Sequence, residues 1–271
     1  MDRRVTPFSG RVAHVSLRGV VDAPLTEGEV AFVLEPVVDL LALPGGARDR
    51  QLLLGDAVTV IDRDAGHAFV QAAKDGYCGW VADAAVGVGM APSHWVASPA
   101  THVYPEPRVQ ARERLALSLG ARLAVVGVNG AWAETEWGFV PASHLRAIGD
   151  WASDAVSVAE SLLGTPYLWG GNSRAGLDCS GLVQLALHAA GRVCPGDSDQ
   201  QQGLGVAIAE TAALVRGDLL FWQGHVAMVA DADRLIHANG HTMSVVHEGI
   251  ISATVRIAAQ GGGPITARRR V

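Results

Sequence analysis

The chain of 271 residues is short of charge and of cysteine. Charged residues make up 18%, against roughly 25% in soluble domains. Apolar residues reach 49%, which supplies a large core and excludes a disordered segment. There are three cysteines, Cys78, Cys179 and Cys194, and no C-x-x-C pair. So sparse and odd a set excludes a disulfide framework and predicts a reducing compartment. Basic residues are outnumbered, 21 Lys and Arg against 27 Asp and Glu, for a net charge of −6. That balance excludes a general nucleic-acid binder. The one basic cluster, Arg268-Arg269-Arg270, reads as a solvated tail. No uninterrupted apolar run follows Met1-Asp2-Arg3-Arg4, so no secretory signal is read. The longest stretch free of Asp, Glu, Lys and Arg, residues 84–105, contains Pro92, Pro99 and Pro105 and does not read as a membrane span. A cytoplasmic protein with no membrane partner is expected.

Length suggests two domains or three small ones, and the sequence changes character near Gly149. Before it, short β-rich runs alternate with Gly, Pro and Asp turns. A degenerate repeat runs through this part. Leu54-Gly55-Asp56-Ala57-Val58-Thr59-Val60 matches Leu119-Gly120-Ala121-Arg122-Leu123-Ala124-Val125, and Gly79-Trp80-Val81 matches Gly138-Phe139-Val140. Apolar runs about ten residues apart predict two small β-barrels in tandem. The pattern Leu-Gly-x-x-Val-x-Val followed by Gly-Trp-Val resembles bacterial SH3-like domains. The expected division is an N-terminal segment 1–29, SH3-like domains at 30–90 and 91–149, and a further domain at 150–271.

In that last part the apolar spacing predicts an amphipathic helix over Trp151–Leu163, stopped by Gly164-Thr165-Pro166. Asp178 is a good N-cap for a second helix running from Cys179 to Gly191. Strands are predicted over 218–222, 225–230, 234–238, 244–247 and 254–258. Helices followed by neighbouring strands give an α+β domain with an antiparallel sheet.

Cys179 carries the chemistry. In the first turn of a helix, backbone N–H groups and the dipole favour a thiolate, and a nearby imidazolium favours it further. Cys78 and Cys194 read as small core hydrophobes. His225 and His237 lie in apolar strand contexts and share parity, hence one face of the sheet. Antiparallel pairing through a turn near Asp231-Ala232-Asp233 brings them opposite or nearly so, where one imidazole orients the other. His241 and His247 look like loop and surface residues.

Taken together, Thr165-Pro166-Tyr167-Leu168-Trp169-Gly170-Gly171, Leu177-Asp178-Cys179-Ser180-Gly181-Leu182-Val183, Arg216-Gly217-Asp218-Leu219-Leu220-Phe221, Gly224-His225-Val226-Ala227-Met228 and Leu235-Ile236-His237-Ala238 resemble the NlpC-type family of papain-like cysteine peptidases. The resemblance covers roughly 151–258, and the tandem SH3-like domains resemble the members that recycle murein peptides. It implies Cys179 as nucleophile, His225 as general base, His237 as its orienting partner and Tyr167 beside the oxyanion. It also implies a pocket for the substrate's free N-terminal amine, built from Asp178, Ser180, Ser198 of Pro195-Gly196-Asp197-Ser198-Asp199-Gln200-Gln201, and Tyr77 of Asp75-Gly76-Tyr77-Cys78-Gly79-Trp80. Gly196 stands where the family pattern has Arg. For Tyr77 the alternative is an exposed barrel aromatic.

The implied activity is hydrolysis of the γ-D-glutamyl–diamino acid bond of murein peptides whose L-Ala amine is free, with no cofactor or metal, and with a monomer favoured. A carboxylate at 178 agrees, because it repels an acidic ligand and attracts an ammonium. The alternatives are a wall-acting hydrolase, an amidase or acyltransferase on the same scaffold, a wall-peptide-binding module without catalysis, and a metal site drawn from Cys179, Cys194, His237 and His241.

Overall fold

Alternation of apolar and polar residues turns directly into strand pairing in the first half of the chain. The computed structural model describes residues 1–271, which divide into two units, Met1–Asp150 and Trp151–Val271. In the first unit, seven strands pair antiparallel in the order Arg48–Leu53, Val37–Leu41, Cys78–Ala82, His67–Ala72, Ala57–Asp64, Glu29–Val33 and Val86–Gly87. Leu40, Leu52, Val58, Val70 and Val81 fill the core between them. At Gly79 a Cβ would lie 2.8 Å from Leu40 Cγ, so only glycine lets the two strands approach this closely. Residues before Glu29 are also tied in. Ala13–His14 pairs with Leu25–Thr26, and Ser9 and Arg11 both donate to the Asp62 carboxylate.

Residues 94–147 form shorter antiparallel ladders. Among them are the hairpin of Ala100–Val103 with Leu115–Ser118 and the three strands Val125–Asn129, Trp132–Thr135 and Gly138–Pro141. The internal repeat has a backbone counterpart. Gly55 and Gly120 take positive φ, +76° and +90°, and each leads into a strand, Ala57–Asp64 and Arg122–Leu123.

The second unit is α+β. Six strands pair antiparallel in the order Val206–Ala207, Ala267–Arg270, Leu219–Trp222, His225–Val229, Arg234–Asn239 and Ser244–Gly249. The helix Cys179–Ala189 packs against the two strands that carry His225 and His237, and the helix Ala155–Glu160 packs on it in turn.

Three expectations need correction. The helix expected over Trp151–Leu163 is shorter, Ala155–Glu160, because Asp154 caps it by accepting the Val156 N–H at 3.0 Å. Trp151 instead packs where a Cβ on Gly191 would collide with its ring. The strand expected at 254–258 is helical. Ile250–Ile257 is a helix whose Ala253 and Ile257 are buried against Leu220, Trp222 and Leu235. The Arg268-Arg269-Arg270 run is no solvated tail, since Ala267–Arg270 pairs with both Leu219–Trp222 and Val206–Ala207. Arg270 holds the buried Asp218 carboxylate through Nε and Nη2, each at 2.8 Å.

Candidate active site

Asp178 starts the helix that carries the cysteine. Its backbone is extended, and its Oδ1 accepts the Gly181 N–H at 2.6 Å, the N-cap geometry. Cys179 is thereby the first helical residue, 7% exposed, with Sγ 4.0 Å from the carbonyl oxygen of Gly224, which precedes His225. Nearly every residue of this helix is buried, Leu182, Val183, Leu185, Ala186 and Leu187 among them, so it runs through the core and holds Cys179 rigidly.

His225 opens its strand, and its Nε2 lies 2.9 Å from Nδ1 of the fully buried His237. The strand register pairs Met228 with Ile236 and Val229 with Leu235. Continued outward, it makes the two histidines diagonal neighbours on one face, not direct opposites. Burial, together with His237 and Arg256 nearby, pushes the His225 imidazole down to about 3. Burial pushes His237 down to about 4, with Arg256 adding to the fall and Glu248 opposing it. Both shifts favour the neutral rings, so the imidazolium expected beside Cys179 is disfavoured in the resting site.

Asp178 and Ser180 are 8% and 5% exposed. Ser180 Oγ donates to Asp178 Oδ1 at 3.1 Å, and the Gly170 N–H donates to Oδ2 at 2.9 Å. With the Gly181 cap that makes three hydrogen bonds, where a carboxylate offers about four acceptor positions. Tyr167 is half-buried, and its backbone N–H donates to Met243. Burial raises its phenol, helped by Cys179 and Asp178, so the hydroxyl stays protonated and able to donate. Ser198 opens the short helix Ser198–Gln201 and is half-buried. Tyr77 lies in the first unit and is 2% exposed among that unit's core residues, not an exposed barrel aromatic. Its N–H donates to Asp75 Oδ1 at 3.0 Å, while Gly76 makes the turn at φ +75°.

Several residues escaped the sequence reading. Gln201, fully buried, donates through Nε2 to the carbonyls of Ser180 and Pro195, each at 3.0 Å, and so ties the 195–201 segment to the start of the nucleophile helix. The closing Gln of the Pro-x-Asp-Ser-x-x-Gln pattern was the available signal. Arg216 joins Asp154 and Glu160 to the carbonyl of Ala230, which gives the Arg-Gly-Asp motif a structural task. Glu248 Oε2 lies 3.1 Å from His237 Nε2, and Arg256 grips both Glu248 oxygens. Beside the dyad opens a cavity of about 450 Å³ whose walls include His225, Asn239, His241, Arg256 and Gln260. No group of three or more His, Cys, Asp or Glu side chains is arranged to hold a metal ion. No helix is long and apolar enough to cross a membrane.

Comparison with known proteins points the same way. Residues 164–258 match the NlpC/P60 family, and residues 40–86 match the bacterial dipeptidyl-peptidase SH3 domain. A gamma-D-glutamyl-L-lysine dipeptidyl-peptidase of Bacillus cereus is 28% identical over 224 residues, 70% of this chain and 67% of that protein. Dipeptidyl-peptidase 6 of Lysinibacillus sphaericus is 29% identical over 163 residues, 54% of this chain and 60% of that protein. The chain thus spans about two thirds or less of these relatives. The crystal structure of an NlpC/P60 family protein from Bacillus cereus superposes with a TM-score of 0.76, covering 89% of this chain and 99% of that one at 22% identity, a likeness of fold.

Proposed function

We propose that this chain, which carries an NlpC/P60 domain behind a bacterial SH3 domain, is a hydrolase of peptidoglycan peptides, as its relatives' names suggest, and within that class a cysteine dipeptidyl-peptidase. It cuts the γ-D-glutamyl–diamino acid bond of murein peptides with a free N-terminal L-Ala, in the recycling of wall peptides inside the cell. In the same reading, residues 91–149 are a second SH3-like domain. The observation that carries the proposal is Cys179 at the head of its helix, 4.0 Å from the Gly224 carbonyl, with His225 next in sequence and bonded to His237.

The steps follow from these groups. Neutral His225 takes the Cys179 proton as Sγ attacks the γ-carbonyl carbon of D-Glu. The negative charge that develops on the carbonyl oxygen is met by the positive end of the helix dipole, at whose head Cys179 sits, and by the Tyr167 hydroxyl. His225 returns the proton to the leaving α-amine of the diamino acid, which departs and leaves a thioester. Water, deprotonated by His225, attacks the thioester, and L-Ala-D-Glu leaves with the thiol restored.

The free amine sets the position of the cut. Its ammonium donates to the remaining acceptor position of Asp178, and Ser180 and Ser198 complete the pocket. Tyr77 is kept in the proposal on its motif. The name of the Bacillus cereus relative supports this bond and this register. The test is incubation with L-Ala-γ-D-Glu-diaminopimelate and with the L-Lys peptide, products read by mass spectrometry. Release of the L-Ala-D-Glu dipeptide is expected. Release of free L-Ala, or cleavage only of intact wall, would contradict the proposal.

A further inference from the structure

A neutral imidazole carries its proton on one nitrogen only, so each hydrogen bond in a line of histidines fixes the next. His225 Nε2 meets His237 Nδ1 at 2.9 Å. One of these nitrogens carries hydrogen and the other accepts it. If His237 Nδ1 is protonated, His225 Nε2 must be bare, its hydrogen sits on Nδ1, and no nitrogen is left to take a proton from a thiol. If His237 Nδ1 is bare, His225 is protonated at Nε2 and its Nδ1 is the free base.

The choice is made on the far side of His237. Its Nε2 has two neighbours, Glu248 Oε2 at 3.1 Å and Asn239 Nδ2 at 3.0 Å. They pull in opposite directions, because a carboxylate wants a hydrogen on Nε2 and an amide N–H wants it bare. The Asn239 amide cannot turn over to resolve this. Its Oδ1 already accepts from the Thr242 N–H at 2.8 Å, the His241 N–H at 3.0 Å and the Thr242 hydroxyl at 3.2 Å. The carboxylate is the stronger partner, since its bond is charge-assisted. Arg256 keeps it charged, donating Nε to Oε1 at 3.0 Å and Nη2 to Oε2 at 2.6 Å.

We propose that Glu248, held by Arg256, is a positioning residue that fixes the Nε2–H tautomer of His237 and so leaves Nδ1 of His225 as the catalytic base. Glu248 touches neither substrate nor Cys179 in this scheme and acts through His237. The inference rests on the Cys179–His225 reading above, but the tautomer is measured without substrate, so the two fail separately.

The test uses the full chain labelled with ¹⁵N in its histidines at pH 7.5, where ring nitrogen shifts separate protonated from bare sites. Signals are assigned by single His substitutions. Both His225 and His237 are expected as Nε2–H. In Glu248→Gln the amide oxygen is held by the Arg256 donors and the NH2 group faces His237 Nε2, which is then bare, so His237 moves toward Nδ1–H. The kcat then falls about tenfold, with KM within about twofold, the difference between a charged and a neutral acceptor. A wild-type spectrum with His237 protonated at Nδ1 overturns the proposal, and needs no variant to fold. Unchanged tautomers with wild-type kcat in Glu248→Gln overturn it equally.

Discussion

Met1–Asp150 and Trp151–Val271 both bury polar groups, but they connect them differently. In the first unit the buried Asp56 is closed off. Lys74 Nζ sits 2.6 Å from Oδ2, and the Leu53 N–H donates to the same oxygen. Burial alone would raise this carboxyl, yet Lys74 and Arg122 outweigh it and hold it below the usual carboxylate range. Cys78, in a strand of the same unit, is pushed up to about 12 by burial and by Asp75. In the second unit, buried polar groups form an open line from Arg256 through Glu248 and His237 to His225. That line ends at a residue adjoining the carbonyl near Cys179. Closed pairs stabilise a fold. An open line can fix a tautomer.

The largest effect should separate the two cysteines. Cys179→Ala is expected to lower kcat by at least about 10⁴-fold and to leave the fold intact, because the covalent route disappears. Cys78→Ala should leave turnover as it is. Peptide hydrolysis by folded Cys179→Ala at a comparable rate would erase the distinction.

Next is Lys74→Ala, which strands Asp56 in the core. Breaking a buried pair costs about 3–5 kcal/mol, visible as a lower denaturation midpoint of the first unit, and kcat measured on folded protein should not move. A kcat loss without a stability loss would place Lys74 with the chemistry instead.

A smaller effect is expected at Asp178. Asparagine still caps a helix, so Asp178→Asn should fold. Without the charge it should lose about 10–100-fold in kcat/KM on the free-amine tripeptide, the worth of a charge-assisted hydrogen bond. The N-acetylated tripeptide should already be slow with wild type and change little further. Equal rates on both peptides with wild type would remove the amine pocket.

The smallest effect is on pH and stability. His225 and His237 have folded values near 3 and 4, below the unfolded value of about 6.5. Below pH 6.5 the unfolded chain therefore takes up protons that the folded one refuses. Stability from these groups is full above about 6.5 and is lost as pH falls toward the folded values. The thermal midpoint should drop across that window, and His237→Asn should flatten the drop. An unaltered slope in His237→Asn would show that His237 does not carry the acid response.

Much of this was legible in the sequence for local reasons. Asp178 before an apolar helix announced its cap, and the equal parity of 225 and 237 put both rings on one face. What failed depended on tertiary partners. Residues 254–258 hold the β-branched Thr254, Val255 and Ile257 and read as strand, yet they end the helix Ile250–Ile257, whose Ala253 and Ile257 fit a sheet face. Arg270 looked like solvent-facing charge because its partner Asp218 is 52 positions away. Glu248 and Arg256 belong to none of the motifs, and only the fold brings them behind His237.

The central claim is that the dipeptide is carried on Cys179, and acid quenching during turnover of L-Ala-γ-D-Glu-L-Lys, followed by peptide mass mapping, tests it most directly. An L-Ala-D-Glu acyl adduct is expected on the peptide containing residue 179 and on neither of those containing Cys78 and Cys194. Sustained turnover in Cys179→Ala, or an adduct mapped to another residue, would contradict it.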